Sequence, residues 1–350
     1  MKKIYNISIL WGTDGFGKWL AAYLLQHFWE YISLTLTGNK REKGESVSKE
    51  LWIRFLQDNI QAVQAAHIVI YAVPISVTQK IIEETLKYIP AWAIVADVTS
   101  IKKFPSAAMS ERDDLIVIPT HPMFGPYIAS IAGQVIVLTP CERVKYTEEY
   151  VFFKHFLESQ KAKVIEESPE YHDKMMAVVQ GLTHLNMFVV GETMKRLGFR
   201  ISDSLNFVSP IYKLMISSVG RYVGQNPQLY ADIQMYNDEV LEVHEKFLDT
   251  AKNFHQSVQD KNSEKFCRDI TEARAFLWED TCREWQEYTD KIIYLLGRQI
   301  EKLKSSLWNT ICIKNIYSWE EKTGELLDFS GKEIFLDDKK SYILDQWEVL

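Results

Sequence analysis

The chain has 350 residues, 47% of them apolar and 25% charged, with a formal net charge of −7. One core rarely grows to that size, so more than one domain is expected. The acidic balance argues against a general nucleic-acid binder, which shows a basic face, and no apolar run reaches the roughly 18 residues of a membrane span. The N-terminal lysines are not followed by an apolar segment ending in small residues, so no signal peptide is expected. Cys141, Cys267, Cys282 and Cys312 are scattered, with no C-x-x-C pair. No metal site is expected from them, and reduced thiols in a cytoplasm are.

In chain order, short β-branched runs alternate with helical patterns as far as about residue 165, the signature of βαβ units and a parallel sheet. Strands are predicted at 4–10, 32–37, 67–73, 93–98, 115–119, 134–138 and 163–166, and helices at 17–28, 47–55, 77–88 and 147–159. After Pro169 the strand signals stop, and apolar residues recur at three-and-four spacing to about residue 307. The last stretch, from about residue 309, has short alternating runs and a Ser330-Gly331 turn signal. The expected architecture is an α/β, Rossmann-type nucleotide domain over 1–168, an all-α domain over 169–308 and a small β-rich appendage over 309–350.

The first strand runs into Gly12-Thr13-Asp14-Gly15-Phe16-Gly17, then a helix. Strand, glycine turn and helix together form the context in which a glycine pattern cradles a pyrophosphate on a helix N-terminus. Gly12 makes the turn, Gly17 lets the helix approach the strand, and Thr13, Gly15 and Phe16 complete the loop. Asp14 stands where a dinucleotide fingerprint carries its second glycine. We read it as a helix cap with its side chain turned from the phosphates. The alternative is a glycine-rich turn that binds nothing.

The next strand chooses between nucleotides. An NAD site usually ends it in an Asp or Glu that bonds the ribose 2′-hydroxyl. Here Thr37 and Gly38 are followed by Asn39, Lys40 and Arg41. A missing acid beside two cations suits a 2′-phosphate, so NADP is expected, with NAD second. The alternative makes Lys40 and Arg41 solvated charges at a helix start.

Two further stretches fall at strand ends, where ligands of open α/β sheets bind: "DVTSIKK" with Ser100, and "PTHPMFGP" with His121. Histidine is the natural base near neutral pH. With the glycine loop, "VVQGLTH" (178–184) and "GRYVGQNPQLYADI" (220–233), these stretches resemble the prephenate/arogenate dehydrogenases of tyrosine biosynthesis. "HPMFGP" is that family's most specific short motif, and the resemblance runs over roughly 4–300. The first loop is similar to the archaeal branch, in which the Asp occurs; Trp11 stands where that branch carries a glycine.

The resemblance implies an oxidative decarboxylation with hydride transfer to NAD(P), prephenate giving 4-hydroxyphenylpyruvate. It implies His121 as the base and Ser100 as the group orienting the substrate hydroxyl. Arg221 would hold a substrate carboxylate and His184 line the pocket, in a site between nucleotide and helical domains. It also implies a homodimer through the helical domain, without nucleic acid or membrane partners. His172 is read as pocket support or an interdomain hydrogen bond, and Gln180 and Tyr230 as possible pocket lining. Rival readings are arogenate as substrate, giving tyrosine, and another two-domain hydroxyacid or imine reductase with Lys174 or Lys213 catalytic. A non-catalytic NADP-binding sensor or partner protein is the third.

Overall fold

The computed structural model describes residues 4–277, 279–315, 320–330, 333–343 and 347–349. The chain divides into two compact units, Met1–Arg200 with Ser218–Asp249, and Ile201–Ser217 with Thr250–Leu350.

The first unit is built on eight strands: β1 (Tyr5–Leu10), β2 (Ile32–Thr37), β3 (Arg54–Leu56), β4 (Ile68–Tyr71), β5 (Ile94–Asp97), β6 (Ile116–Pro122), β7 (Val135–Leu138) and β8 (Lys163–Glu166). Their order is β3-β2-β1-β4-β5-β6-β7-β8. The strand order reverses beside β1, which pairs in parallel with both β2 and β4. The loop leaving β1 therefore opens at the switch point. Ile9, Leu10, Val69, Tyr71, Val95 and Ile118 are buried, as strands covered on both faces require.

Six helices connect these strands: α1 (Gly15–Phe28), α2 (Arg41–Leu51), α3 (Asn59–Val63), α4 (Ile75–Thr85), α5 (Lys103–Met109) and α6 (Glu148–Ser159). Besides the short helices α3 and α5, which the sequence reading did not predict, two features differ from the sequence expectation. The sheet is not wholly parallel: β7 runs antiparallel to β6, and β8 is parallel to β7. The link from β6 to β7 contains no helix, and parallel neighbours need a crossover. The helix expected at 47–55 instead starts at Arg41 and stops at Leu51, and Arg54–Leu56 joins the sheet beside β2.

Trp52 makes that stop, at φ 56° and ψ 44°, a left-handed conformation that favours glycine. Trp11, Trp92 and Trp308 also have positive φ, of 67°, 65° and 65°. Trp52 is 94% exposed, so its indole offers little packing to offset a backbone cost of roughly 1–2 kcal/mol. Trp52→Gly is expected to stabilise the protein by about 1 kcal/mol, read as a higher urea midpoint; a lower midpoint counts against the strain.

Beyond the sheet, α7 (Pro169–Met176), a π-helical segment (Ala177–Leu182) and α8 (Thr183–Arg196) follow one another without a break. Ser168 starts this rod by accepting from the Tyr171 N–H, with Pro169 in the first turn. The chain continues as α9 (Ile201–Ser204), α10 (Pro210–Val223), α11 (Pro227–Met235), α12 (Val240–Gln259), α13 (Ser263–Phe276) and α14 (Glu279–Ser305).

The second unit ends in an antiparallel sheet of β9 (Thr310–Asn315), β10 (Glu321–Phe329), β11 (Glu333–Leu336), β12 (Ser341–Ile343) and β13 (Trp347–Val349), ordered β12-β11-β10-β9-β13. Leu303 of α14 packs with Ile313, Leu326 and Ile334 in its core, so the β appendage read from the sequence has its own apolar centre. The Ser330-Gly331 signal is half within reach: Gly331 lies outside the described residues, and the Ser330 N–H bonds Glu333 O.

Candidate active site

The glycine loop is tightly built. A Cβ on Gly12 would meet Leu36 Cδ2 at 2.6 Å, and one on Gly17 would meet Gly12 Cα and Trp11 O, both at 2.9 Å. Gly15 differs: its φ is +48° and a Cβ there would meet nothing within 4 Å. Open space thus lies where α1 begins, and no side chain caps the first turn's N–H groups. These features fit a dinucleotide pyrophosphate. Buried Thr13 packs against Gly38, where an added Cβ would lie 2.5 Å from Thr13 Oγ1. Phe16 lies 5.8 Å, centroid to centroid, from Phe124 of the HPMFGP stretch. The glycine loop is thereby joined to the loop after β2 on one side and to the end of β6 on the other.

Asp14 corrects the sequence reading. It holds the N-cap position of α1 but makes no capping hydrogen bond, and its carboxylate pairs instead with the Lys43 ammonium of α2. A charge-assisted bond outcompetes a neutral N–H, and Lys43 offsets the negative charge beside the phosphate position. Asn39 and Lys40 are exposed at the start of α2, and Arg41 pairs with Glu45 at 2.7 Å on the surface.

A chain of buried side chains lies at the ends of β5 and β6. His121 Nδ1 is 2.8 Å from His172 Nε2, and His172 Nδ1 is 2.7 Å from Asp173 Oδ1. Asp173 accepts the backbone N–H groups of Lys102 at 2.8 Å and Lys103 at 3.0 Å. His172 and Asp173 thus clamp the rod to the segment that follows Ser100. Lys102 is wholly buried, paired with Asp97 and donating to Thr120 O at 2.9 Å. Burial, with His172 and Lys102 nearby, holds His121 well below the usual histidine range. The ring is therefore neutral at neutral pH.

The π-helical segment places Gln180. Its Nε2 lies 3.5 Å from His121 Nε2, and its Oε1 is buried without a hydrogen-bond partner. Segments of this kind often mark functional positions. The Gly181 carbonyl is taken by Gln234 Nε2 at 3.1 Å. His184, one turn along, packs against the rings of Tyr222 and Tyr230 at 5.0 and 4.8 Å, and these two rings lie 5.6 Å from each other. Its Nδ1 has no hydrogen-bond partner. The Tyr230 phenol donates to Gln225 Oε1 at 2.7 Å. Burial raises the Tyr230 pKa, while the Arg221 cation pulls it down, so exposed Arg221 acts on this same cage. Ser100 is half-buried; among the described residues neither it nor Arg221 hydrogen-bonds His121.

Burial pushes His184 down to about 4 from 6.5. Between those values the unfolded chain binds more protons than the native one. The stability gained by keeping His184 neutral is present above pH 6.5 and lost as pH falls toward 4. Urea midpoints for His184→Phe are therefore expected to fall less steeply with acidification than wild type; equal slopes count against this environment.

Sequence reasoning did not single out Asp97, Lys102 or Asp173, and it read His172 as support. The adjacent "HD" pair and a lysine inside "SIKKF" were the available signals. Among the described residues no group of three or more His, Cys, Asp or Glu could hold a metal, and no helix is long and apolar enough to cross a membrane.

Known proteins place this arrangement. Residues 28–166 match the prephenate dehydrogenase nucleotide-binding domain, and residues 168–272 match the prephenate dehydrogenase dimerization domain. A probable arogenate/prephenate dehydrogenase of Methanocaldococcus jannaschii is 43% identical over 334 residues, 95% of this chain and 74% of that protein. The T-protein of Haemophilus influenzae is 35% identical over 185 residues, 53% of this chain and 48% of that one. The fold is also that of the A. aeolicus prephenate dehydrogenase solved with hydroxyphenyl propionate and NAD+. The TM-score is 0.60 at 17% identity, covering 78% of this chain and 97% of that chain. Identity with the Methanocaldococcus protein through nearly the whole chain, and both matched domains in their order, make this chain a member of the prephenate/arogenate dehydrogenase family.

Proposed function

We propose that the protein oxidises prephenate to 4-hydroxyphenylpyruvate and carbon dioxide with NAD(P)+. The observation that carries the reading is His121: buried, neutral, and engaged through Nδ1 with His172, so that Nε2, 3.5 Å from the Gln180 amide, is the nitrogen to meet a substrate hydroxyl. His121 Nε2 takes the hydroxyl proton as the carbonyl forms. Ser100 orients that hydroxyl, the Arg221 guanidinium offers a carboxylate a two-pronged partner, and His184 in its tyrosine cage lines the pocket. A nicotinamide dinucleotide, held by Gly12, Thr13, Gly15, Phe16 and Gly17, supplies the hydride acceptor. Aromatisation of the ring drives the loss of carbon dioxide.

NADP+ is the preferred form on this reading. The support is the sequence at the end of β2: no acid stands at its tip, and Asn39, exposed Lys40 and Arg41, the last paired with Glu45, follow it. Arogenate is the second reading, because the Methanocaldococcus relative's name carries both substrates. The match to a dimerization domain supports a homodimer, and four cysteines without a disulfide suit the cytoplasm.

The test is reduced-nicotinamide absorbance with prephenate and arogenate, each with NADP+ and NAD+. Turnover of neither substrate overturns the proposal. Lys40→Ala with Arg41→Ala is expected to raise the KM for NADP+ about tenfold, by removing two charge-assisted contacts, and to leave NAD+ unaffected. Equal effects on both dinucleotides count against the 2′-phosphate assignment.

A further inference from the structure

We propose that Asp173 and His172 are positioning residues for His121. They form a relay that fixes His121 as the Nδ1–H tautomer and shares the proton it receives. The inference rests on the oxidation reading above, but its first test does not need a substrate.

The direction of the relay follows from donors and acceptors. Asp173 accepts two backbone N–H groups, one on each oxygen, which is the pattern of an ionised, acceptor-only carboxylate. The 2.7 Å contact to His172 Nδ1 must then be a donation from that nitrogen. A neutral His172 with its proton on Nδ1 presents Nε2 as an acceptor. With His172 in that form, His121 Nδ1, 2.8 Å from it, is the donor. A neutral His121 with its proton on Nδ1 leaves Nε2 as a lone pair, the form a general base requires. The other charge acting on His121 is Lys102, already paired with Asp97.

The proton balance closes. As the hydride leaves the carbinol carbon for the dinucleotide, the O–H electron pair becomes part of the C=O bond and the proton goes to His121 Nε2. His121 Nδ1–H then passes its proton to His172 Nε2, whose Nδ1–H remains on Asp173. The single positive charge ends beside the carboxylate, and His121 is neutral again. Burial makes this arrangement effective: His121, His172 and Asp173 are each no more than 2% exposed, so water does not orient the imidazoles in its place. Backbone N–H groups hold Asp173, Asn237 Nδ2 holds its carbonyl at 2.8 Å, and the relay starts from a rigid end.

The first measurement is the nitrogen-15 spectrum of full-length protein carrying labelled histidine. Both His121 and His172 are expected as Nδ1–H tautomers at neutral pH, and His172→Leu is expected to return His121 to a mixture. His121 found protonated on Nε2 in the wild type overturns the relay. The second measurement is kinetic. His172→Leu is expected to lower kcat about 100-fold, with KM for the substrate within about twofold, by analogy with orienting partners of other histidines. His172→Gln, whose Oε1 can accept from His121 Nδ1–H, is expected to recover at least about tenfold of that loss. Equal losses in the Leu and Gln variants, or wild-type kcat in His172→Leu, overturn it. Dinucleotide binding by both variants is the check on folding. A wild type inactive on either substrate removes the proposed function alone, since the tautomer result stands without turnover.

Discussion

His121→Asn is expected to lower kcat by about 10²–10⁴-fold, the usual worth of a positioned general base, while leaving dinucleotide binding intact. Asparagine keeps a polar group near the imidazole's place but cannot take a proton at neutral pH. The glycine loop is a separate element, joined to the end of β6 by Phe16 and Phe124, so the cofactor site survives the change. Single-turnover absorbance measures the loss and equilibrium titration with NADP+ checks the site. A kcat within threefold of wild type removes His121 from the proton transfer.

The pH profile carries the same argument. His121 must be neutral to act, and its pKa lies well below 6.5 because burial, His172 and Lys102 all disfavour the cation. The acid limb of kcat/KM, which reports the free enzyme, is therefore expected below pH 6.5. On stability the sign is the same as for His184. The neutral buried ring favours the fold above the ordinary histidine range and loses that advantage as pH falls below it.

Lys102→Met carries the largest stability effect. The lysine and Asp97 are both wholly buried. Removing the ammonium leaves a carboxylate with only Thr99 and, at 3.4 Å, the Thr120 N–H, and leaves Thr120 O without its donor. Breaking a buried pair by deleting one partner costs about 3–5 kcal/mol, whereas replacing both partners together is often near neutral. The urea midpoint of Lys102→Met is expected to fall accordingly, and Asp97→Asn added to it is expected to recover part of the loss. A loss under about 1 kcal/mol would mean the pair behaves as a surface ion pair. Asp97 of β5 lies opposite Pro119 of β6 and Lys102 donates to Thr120 O, so the pair also holds the strand end that carries His121.

Much of this was legible in the chain. The alternation of β-branched runs and helical periods located seven of the eight strands in the first sheet, because side-chain periodicity is a local property. The eighth, β3, has only three residues, too few for a period to show. Gly12 and Gly17 were readable for the same reason: a turn and a close approach leave their mark in single residues. The candidates Ser100, His121, His184 and Arg221 came from the motifs that contain them.

What the sequence alone determined was the set of parts: an α/β unit, helices after Pro169, a closing β-sheet, a loop suited to a pyrophosphate and a histidine at a strand end. The tertiary structure decided their relations. The parallel crossovers and the reversed β7 set which strand ends lie together. The rod brings His172 and Asp173, 51 and 52 residues beyond His121 in sequence, against it. Asp14 turned to Lys43 rather than to its own helix. Hydrogen bonds and ion pairs between residues distant in the chain leave no periodicity to read, because they depend on how elements pack. Packing selects one arrangement of buried donors and acceptors out of many that the same local pattern allows.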